Sequence, residues 1–317
     1  MNKKLIAAAV AAAVALPMAA QGGVQIYGKI HASIDYIDPQ AEDDFWDVTS
    51  HSTRIGFKGS EDLGNGLKAI WKAEVTYDLT NGDWGRGRNS YIGLAGDWGT
   101  VLMGRHDTPL KMSTAKLDLF ADRLADYDTA IGFEDARASD VVAYISPNFN
   151  GLTVAGAVIA EHDFDGGDDG NEGDWEGYSI AAMYSNNGLF AAVAYEDVED
   201  LTNTLTDEKW RVGVGYDLNA FHIGFVYENQ DNTGGGEADL WQVSGSYKFG
   251  NNVVKAMYGE NDPDGGSTDD AWAVGLDHNF SKRTTAYILY TDSDVALKDY
   301  TARGSAEGFA LGMIHKF

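Results

Sequence analysis

Cysteine does not occur among the 317 residues, and proline occurs only five times. The first absence excludes a disulfide framework and any metal centre built on thiolates. Basic residues are also scarce, with 23 Lys and Arg against 49 Asp and Glu and a formal net charge of −26. Such an excess repels a phosphate backbone, so nucleic acid is not an expected partner. Long apolar runs are missing beyond the first 20 residues, since no later stretch reaches 18 consecutive apolar positions. A transmembrane helix is therefore not predicted, which leaves either a water-soluble chain or one that crosses a membrane as a closed barrel. What is abundant is glycine (38) and aromatic side chains (8 Trp, 16 Tyr, 13 Phe), a composition that suits many strands joined by tight turns.

The first segment bears on export. Lys3 and Lys4 precede an apolar, Ala-rich run from Leu5 to Ala20, interrupted only by Pro17. That run is too short for a membrane span and reads as a secretory signal peptide, residues 1–20, with cleavage as late as 22. The mature chain, 21–317, then holds 21 basic residues against 49 acidic ones.

Alternation decides between the two exported forms. Val24, Ile26, Gly28, Ile30, Ala32, Ile34 and Tyr36 occupy one face of a period-two pattern, and Gln25, Tyr27, Lys29, His31, Ser33 and Asp35 the other. Leu67, Ala69, Trp71, Ala73, Val75, Tyr77 and Leu79 likewise oppose Lys68, Ile70, Lys72, Glu74, Thr76 and Asp78. Trp210 to Leu218, Trp241 to Phe249 and Trp272 to Phe280 repeat the pattern. Sixteen such segments are predicted, from one near 23–37 to one near 304–317. Short turns alternate with longer acidic or Gly-rich loops at 38–51, 80–87, 108–138, 162–175, 199–207, 232–236, 262–269 and 294–303. Long strands, dyad alternation and this short-long parity fit an all-β, 16-stranded antiparallel transmembrane barrel with both termini on the short-turn side. A soluble β-sandwich also alternates, but its strands are shorter and its connectors need not keep parity along the whole chain.

Several segments resemble a known family. Thr53-Arg54-Ile55-Gly56-Phe57-Lys58-Gly59-Ser60-Glu61-Asp62-Leu63-Gly64-Asn65-Gly66-Leu67-Lys68-Ala69 closely resembles the second strand, turn and third strand of trimeric Gram-negative general porins of the neisserial/proteobacterial type. Tyr91 to Leu94, Gly99 to Val101, Gly104 to Pro109 and Tyr144 to Gly151 are similar to the same family, and so is the terminal Gly312-Met313-Ile314-His315-Lys316-Phe317. The resemblance covers the mature chain. It implies a homotrimer in the outer membrane, and it makes the terminal aromatic, Phe317, the signal read by the barrel assembly machinery. Outer-membrane lipid and lipopolysaccharide are the other partners expected of such a protein.

Other motifs carry less. Gly64-Asn65-Gly66-Leu67-Lys68-Ala69 fits a dinucleotide-binding pattern, yet the residues after it alternate at period two, and a glycine-rich turn is the ordinary reading. The seven histidines show no helical pair at zinc-binding spacing, and no G-x-S-x-G elbow is present. The acidic runs at 162–174 and 262–270 do not have EF-hand spacing and read as solvated loops, although oxygen ligands for calcium or magnesium are present in them. No catalytic residue, resident metal or cofactor is predicted.

The third long connector, about 108–138, stands apart. Leu117, Phe120 and Leu124 fall on one helical stripe, with Asp118, Asp122 and Asp126 spaced four apart on another. A short helix there is expected to pack its apolar side on the barrel wall and turn the three acids into the lumen. The resemblance implies the same, since porins of this family narrow the pore with an inward-folded third loop. Alternation turns Lys29, Arg54, Lys58, Lys68 and Lys72 toward water, with Arg88 and Arg137 nearby; by resemblance Lys29, Arg54, Arg88 and Arg137 match the wall cations facing that loop. The expected constriction is therefore Asp118, Asp122 and Asp126 against Lys29, Arg54, Lys72, Arg88 and Arg137. Individual cations have a structural alternative, pairing with Asp35, Glu74 or Asp78.

These readings converge on a water-filled channel for passive diffusion of small hydrophilic solutes and ions, with mild cation selectivity expected from the acidic outer loops. A substrate-specific channel is the alternative, and would show a line of lumenal aromatics where the pattern puts most of them on the lipid face. A barrel enzyme or adhesin is a third reading, and would give no ohmic conductance.

Overall fold

Period-two alternation becomes one continuous antiparallel ladder in the computed structural model, which describes residues 23–160, 175–198, 206–232 and 236–317. The expected signal peptide (1–20, or to 22) and most of the acidic loop at 162–175 lie outside the described residues. The strands are β1 (Gln25–Pro39), β2 (Phe45–Ser50), β3 (Arg54–Gly64), β4 (Leu67–Tyr77), β5 (Trp84–Gly87), β6 (Ser90–Gly96), β7 (Gly99–Asp107), β8 (Arg137–Ile145), β9 (Leu152–Ala160), β10 (Trp175–Asn186), β11 (Leu189–Val198), β12 (Thr206–Leu218), β13 (Phe221–Asn232), β14 (Glu237–Phe249), β15 (Asn252–Pro263), β16 (Asp269–Asn279), β17 (Thr284–Ser293) and β18 (Ala306–Lys316). Both β2 and β3 pair with β1, and both β5 and β6 pair with β4, so each couple forms one interrupted wall strand and the wall has sixteen. β1 pairs with β18 from Lys29↔Lys316 to Pro39↔Ala306, which closes the ring. Pairing of the first strand with the last removes the two open edges of the sheet, the condition a sheet must meet in hydrocarbon.

Outward positions carry the apolar residues that a soluble protein would bury. Ile26, Ile30, Ile34, Val193, Ile223, Val254, Leu311 and Met313 are all exposed. Inward positions on the same strands are largely polar, glycine or alanine, with buried apolar residues such as Ile37, Phe190 and Met257 among them. Gly64, Asn65 and Gly66 all have positive φ and form the turn between β3 and β4, so the dinucleotide-like motif is hairpin chemistry.

Two expected loops are partly strand. Within 38–51, Phe45–Ser50 continues the ladder along the upper half of β1, and within 80–87, Trp84–Gly87 pairs with the end of β4. Their Asp, Ser and Gly content resembles loop, but Trp46 and Val48 keep the outward parity and are exposed there. The interruption at 51–53 includes Ser52 at φ 48.

The third connector folds inward. After Thr108, whose hydroxyl accepts from Lys111 N, α1 spans Pro109–Thr114; α2 spans Tyr127–Ala130 with Asp126 as its N-cap. The stretch between them is a series of turns, which corrects the expected helix over Leu117 to Asp126. Asp122 has φ 58, a left-handed value that reverses the chain and destroys the four-residue spacing of the acids. The apolar half of the expectation holds: Leu117, Phe120 and Leu124 are fully buried, as are Ile131 and Phe133.

Glycines on the inner wall receive these side chains. A Cβ at Gly213 would lie 2.7 Å from Thr114 Cγ2 and 2.8 Å from Leu117 Cδ1. At Gly259 it would meet Ile131 Cδ1 at 2.4 Å, and at Gly308 Leu124 Cδ1 at 3.2 Å. The loop thus lies against the wall from β9 to β18, leaving the side that carries Lys72, Arg88 and Arg137 for water.

Candidate functional site

On that wetter side, strand parity brings basic groups from successive strands together around two carboxylates. Glu74 on β4 receives Arg88 Nε at 3.0 Å, Lys72 Nζ at 3.3 Å and Arg54 Nε at 3.8 Å, and accepts a hydrogen bond from Tyr27 at 2.7 Å. Asp107, at the end of β7, is 2.7 Å from Arg137 Nη2 and 3.9 Å from Lys111 Nζ. Asn89 braces the second group: its side-chain oxygen accepts from Arg137 Nε at 2.8 Å, and its amide donates to Asp107 at 2.8 Å. Lys58, also expected to face water, sits 4.8 Å above the Tyr27 ring. Arg105 donates to Gly87 O and Ser139 Oγ and is not part of the cluster.

Of the three expected loop acids, one reaches the wall. Asp122 Oδ2 is 2.5 Å from Lys29 Nζ and 3.6 Å from Arg54 Nη1. Burial pushes its carboxyl upward, but Lys29 and Arg54 outweigh that and hold it far below the usual carboxylate range. Asp118 and Asp126 turn inward on the loop, which corrects the expectation that all three face the cations. Asp118 accepts from Phe120 N at 2.8 Å, while Asp126 accepts from Asp122 N at 2.6 Å and from Asp128 N at 3.3 Å. Both are desolvated and close to Asp128; burial pushes Asp118 up to about 7, and Asp126 is also held above the ordinary range. These two carboxylates satisfy backbone donors of a compact turn instead of presenting charge to the lumen.

The groups that hold the loop in place are ones the pattern did not single out. Arg211, fully buried on β12, donates to Glu228 at 2.5 Å, Asp135 at 2.7 Å, Glu134 O at 2.9 Å and Thr114 Oγ1 at 3.0 Å. Arg123 forms a two-pronged pair with Asp277 at 2.7 and 2.9 Å. Ser244, Asn261 and Ser293 of the wall donate to the carbonyls of Leu117, Ile131 and Ala130. A signal was present: Arg211 and Asp277 each lie two residues from an inward glycine, Gly213 and Gly275, on the face read as polar. A charged side chain beside a missing one marks where a loop must be received.

Residues 7–296 match the family described as Gram-negative porin. The chain is 32% identical over 263 residues to the major outer membrane protein P.IB of Neisseria gonorrhoeae, covering 73% of this chain and 72% of that one. To P.IB of Neisseria meningitidis serogroup B it is 34% identical over 249 residues, with 73% and 71% covered. The chain belongs to the Gram-negative porin family. Solved structures agree on the fold: the anion-selective porin from Comamonas acidovorans superposes with a TM-score of 0.79 at 22% identity over 93% of this chain and 99% of that one. OmpF of Salmonella typhi gives 0.75 at 17% identity, over 93% and 97%.

The porin is thus an outer-membrane channel protein of the neisserial type and not an enzyme, and its β1 begins and its β18 ends at the short-turn end of the barrel. There Phe317 closes the seam, exchanging backbone hydrogen bonds of 3.1 Å with Gly28 in both directions. A Cβ at Gly28 would lie 2.4 Å from the Phe317 ring, so the terminal aromatic has a glycine seat on the first strand.

Proposed function

We propose that this porin lets small hydrophilic solutes and ions diffuse passively through a passage between loop 108–136 and the β3–β8 wall, and that the narrowing favours anions. The observation that carries the reading is a local imbalance of charge. Among the described residues, the ion pairs of Lys29, Arg54, Lys72, Arg88, Lys111 and Arg137 run to three carboxylates, Glu74, Asp107 and Asp122. The cation preference expected from sequence rests on the acidic runs at 162–174 and 262–270, the first of which lies outside the described residues. Those acids concentrate cations at the mouth when salt is low; at 1 M salt the Debye length falls to about 3 Å and only groups beside the ion path act on it. The neighbour of highest TM-score given above carries anion selectivity in its description, which is consistent with this reading.

The same proposal includes a signal peptide of residues 1–20, a single barrel domain 21–317 with its constriction loop at about 108–138, a homotrimeric assembly, and Phe317 as the assembly signal. Zero-current potentials in a planar bilayer under a KCl gradient centred near 1 M test the selectivity. Chloride is expected to pass more readily than potassium, and Arg88→Gln to reduce that preference. A potassium-selective potential at that salt rejects the eyelet assignment.

A further inference from the structure

A second connector enters the barrel. Residues 294–300, between β17 and β18, carry Ala296, Leu297 and Tyr300, all buried. Leu297 packs at Gly308 on the inner wall, where a Cβ would lie 2.6 Å from Leu297 Cδ1, 3.2 Å from Leu124 and 3.6 Å from Ile37. From there the segment makes contacts in two directions. Toward the third loop, Lys298 N donates to Leu124 O at 2.9 Å, and Lys298 Nζ donates to both oxygens of Asp128 at 2.7 Å. Toward the wall, Asp299 Oδ2 is 2.6 Å from His51 Nδ1, and Tyr300 OH donates to Asp35 at 3.2 Å and also meets Thr49. Asp299 holds φ 69, a left-handed value that Asp adopts more readily than most non-glycine residues.

Beneath this segment lies a column of polar groups on β1 that the lumen would otherwise wet. His31, Ser33 and Asp35 are each no more than 3% exposed, with Ser33 Oγ 2.5 Å from His51 Nε2 and His31 Nε2 2.9 Å from Tyr287 OH. The inward face of a porin strand ordinarily meets water, so something covers these residues. The bodies over them are His51 and Tyr287 of the wall, Arg123 of the third loop, which lies 4.2 Å over the Tyr287 ring, and Asp299 and Tyr300 of this connector.

We infer that residues 294–300 form a strut that closes the corner between the third loop and the β1–β2 wall, and that Lys298 and Asp299 are the positioning residues that set the cross-section of the passage. The inference rests on the diffusion-channel reading and goes beyond it, because it assigns part of the size limit to a loop other than the third. With the strut in place, solutes are confined to the side lined by Lys72, Arg88 and Arg137. Without it, the corner over Ser33 opens to water.

Single-channel recording and thiol labelling of the full chain test this together. The chain contains no cysteine, so Ser33→Cys would carry the sole thiol. Replacing residues 295–300 by a shorter Gly-Ser linker is expected to raise conductance about 1.5-fold or more, as a wider cross-section requires. It is also expected to make the Ser33→Cys thiol reactive toward a water-soluble methanethiosulfonate that spares it in the parent background. Lys298→Ala/Asp299→Ala, which keeps the loop length, should give the same changes in smaller measure and serves if the shortened chain does not fold. Rapid labelling of Ser33→Cys with the strut intact overturns the assignment, and so does unchanged conductance once the thiol has become reactive. Absence of any conductance in the unmodified chain would instead reject the channel reading on which the strut depends.

Discussion

Lys29 Nζ and Asp122 Oδ2 lie 2.5 Å apart, joining the first wall strand to the tip of the inward loop across 93 positions of sequence. Arg54 Nη1 approaches the same oxygen at 3.6 Å. The contact ends the loop's traverse of the barrel, fastening its tip to β1 and β3.

Asp122→Asn removes that charge and leaves the Lys29 side chain, 8% exposed, without an ionised partner on the loop. A cost on the order of 2 kcal/mol is expected, since an unpaired cation remains in a poorly solvated place. Selectivity should move further toward anions, because one of the three carboxylates is gone. Thermal unfolding and the zero-current potential check the two outcomes, and a shift toward cations would contradict the eyelet as described. The linkage is equally specific. The Asp122 carboxyl is depressed in the folded protein, so its stabilisation is present above the unfolded value near 4 and is lost only as pH falls through the much lower folded value. The carboxyl by itself should leave stability unchanged above about pH 5.

Asp118 behaves in the opposite sense. Burial raises its carboxyl to about 7, so its folded form favours the proton and its contribution to stability is full below the unfolded value near 4 and declines as pH rises toward 7. Asp118→Asn keeps an acceptor for Phe120 N without the buried charge. The variant is expected to melt higher than the parent at pH 8 and to match it at about pH 4. A destabilisation of equal size at both values would show that the carboxylate is needed for its shape alone.

Arg211 is the point at which the loop is most strongly fixed. Arg211→Ala strands Glu228 and Asp135, both close to a guanidinium that is itself without solvent, and a loss of about 3–5 kcal/mol is expected from such an uncompensated group. Arg211→Lys should recover less than half of it, since an ammonium cannot reach Glu228, Asp135 and Thr114 with one planar fork. The readouts are unfolding temperature and the noise of the open-channel current. Quiet, unchanged conductance in a folded Arg211→Ala protein would mean that the remaining clamps suffice.

Much of the barrel was legible in the residues, because a strand that separates hydrocarbon from water must alternate, and a one-residue slip would exchange the two environments. Strand number, the parity of the connectors and the lumenal facing of Lys29, Arg54 and Lys72 rest on that constraint, whereas Arg88 and Arg137 were matched by resemblance and Leu117, Phe120 and Leu124 were read from a helical stripe. The reading failed where the fold is set by non-local contacts. Asp118, Asp122 and Asp126 look alike at helical spacing, yet the left-handed backbone at Asp122 sends one to Lys29 and leaves two to bind the loop's own amides.

The absence of cysteine and the acidic excess only excluded other classes; long period-two strands with short-long parity of the connectors pointed to a closed membrane barrel, an arrangement of strands that hydrocarbon accepts because every backbone group is paired. Which charges meet was decided by the tertiary structure. Glu74 gathers Arg54, Lys72 and Arg88 only because β3, β4 and the break before β6 stand side by side, and Gly213, Gly259 and Gly308 become seats only once a loop is present to occupy them. Alternation specifies the face a side chain occupies; its partner across the lumen depends on the register of strands and the path of loops far away in sequence.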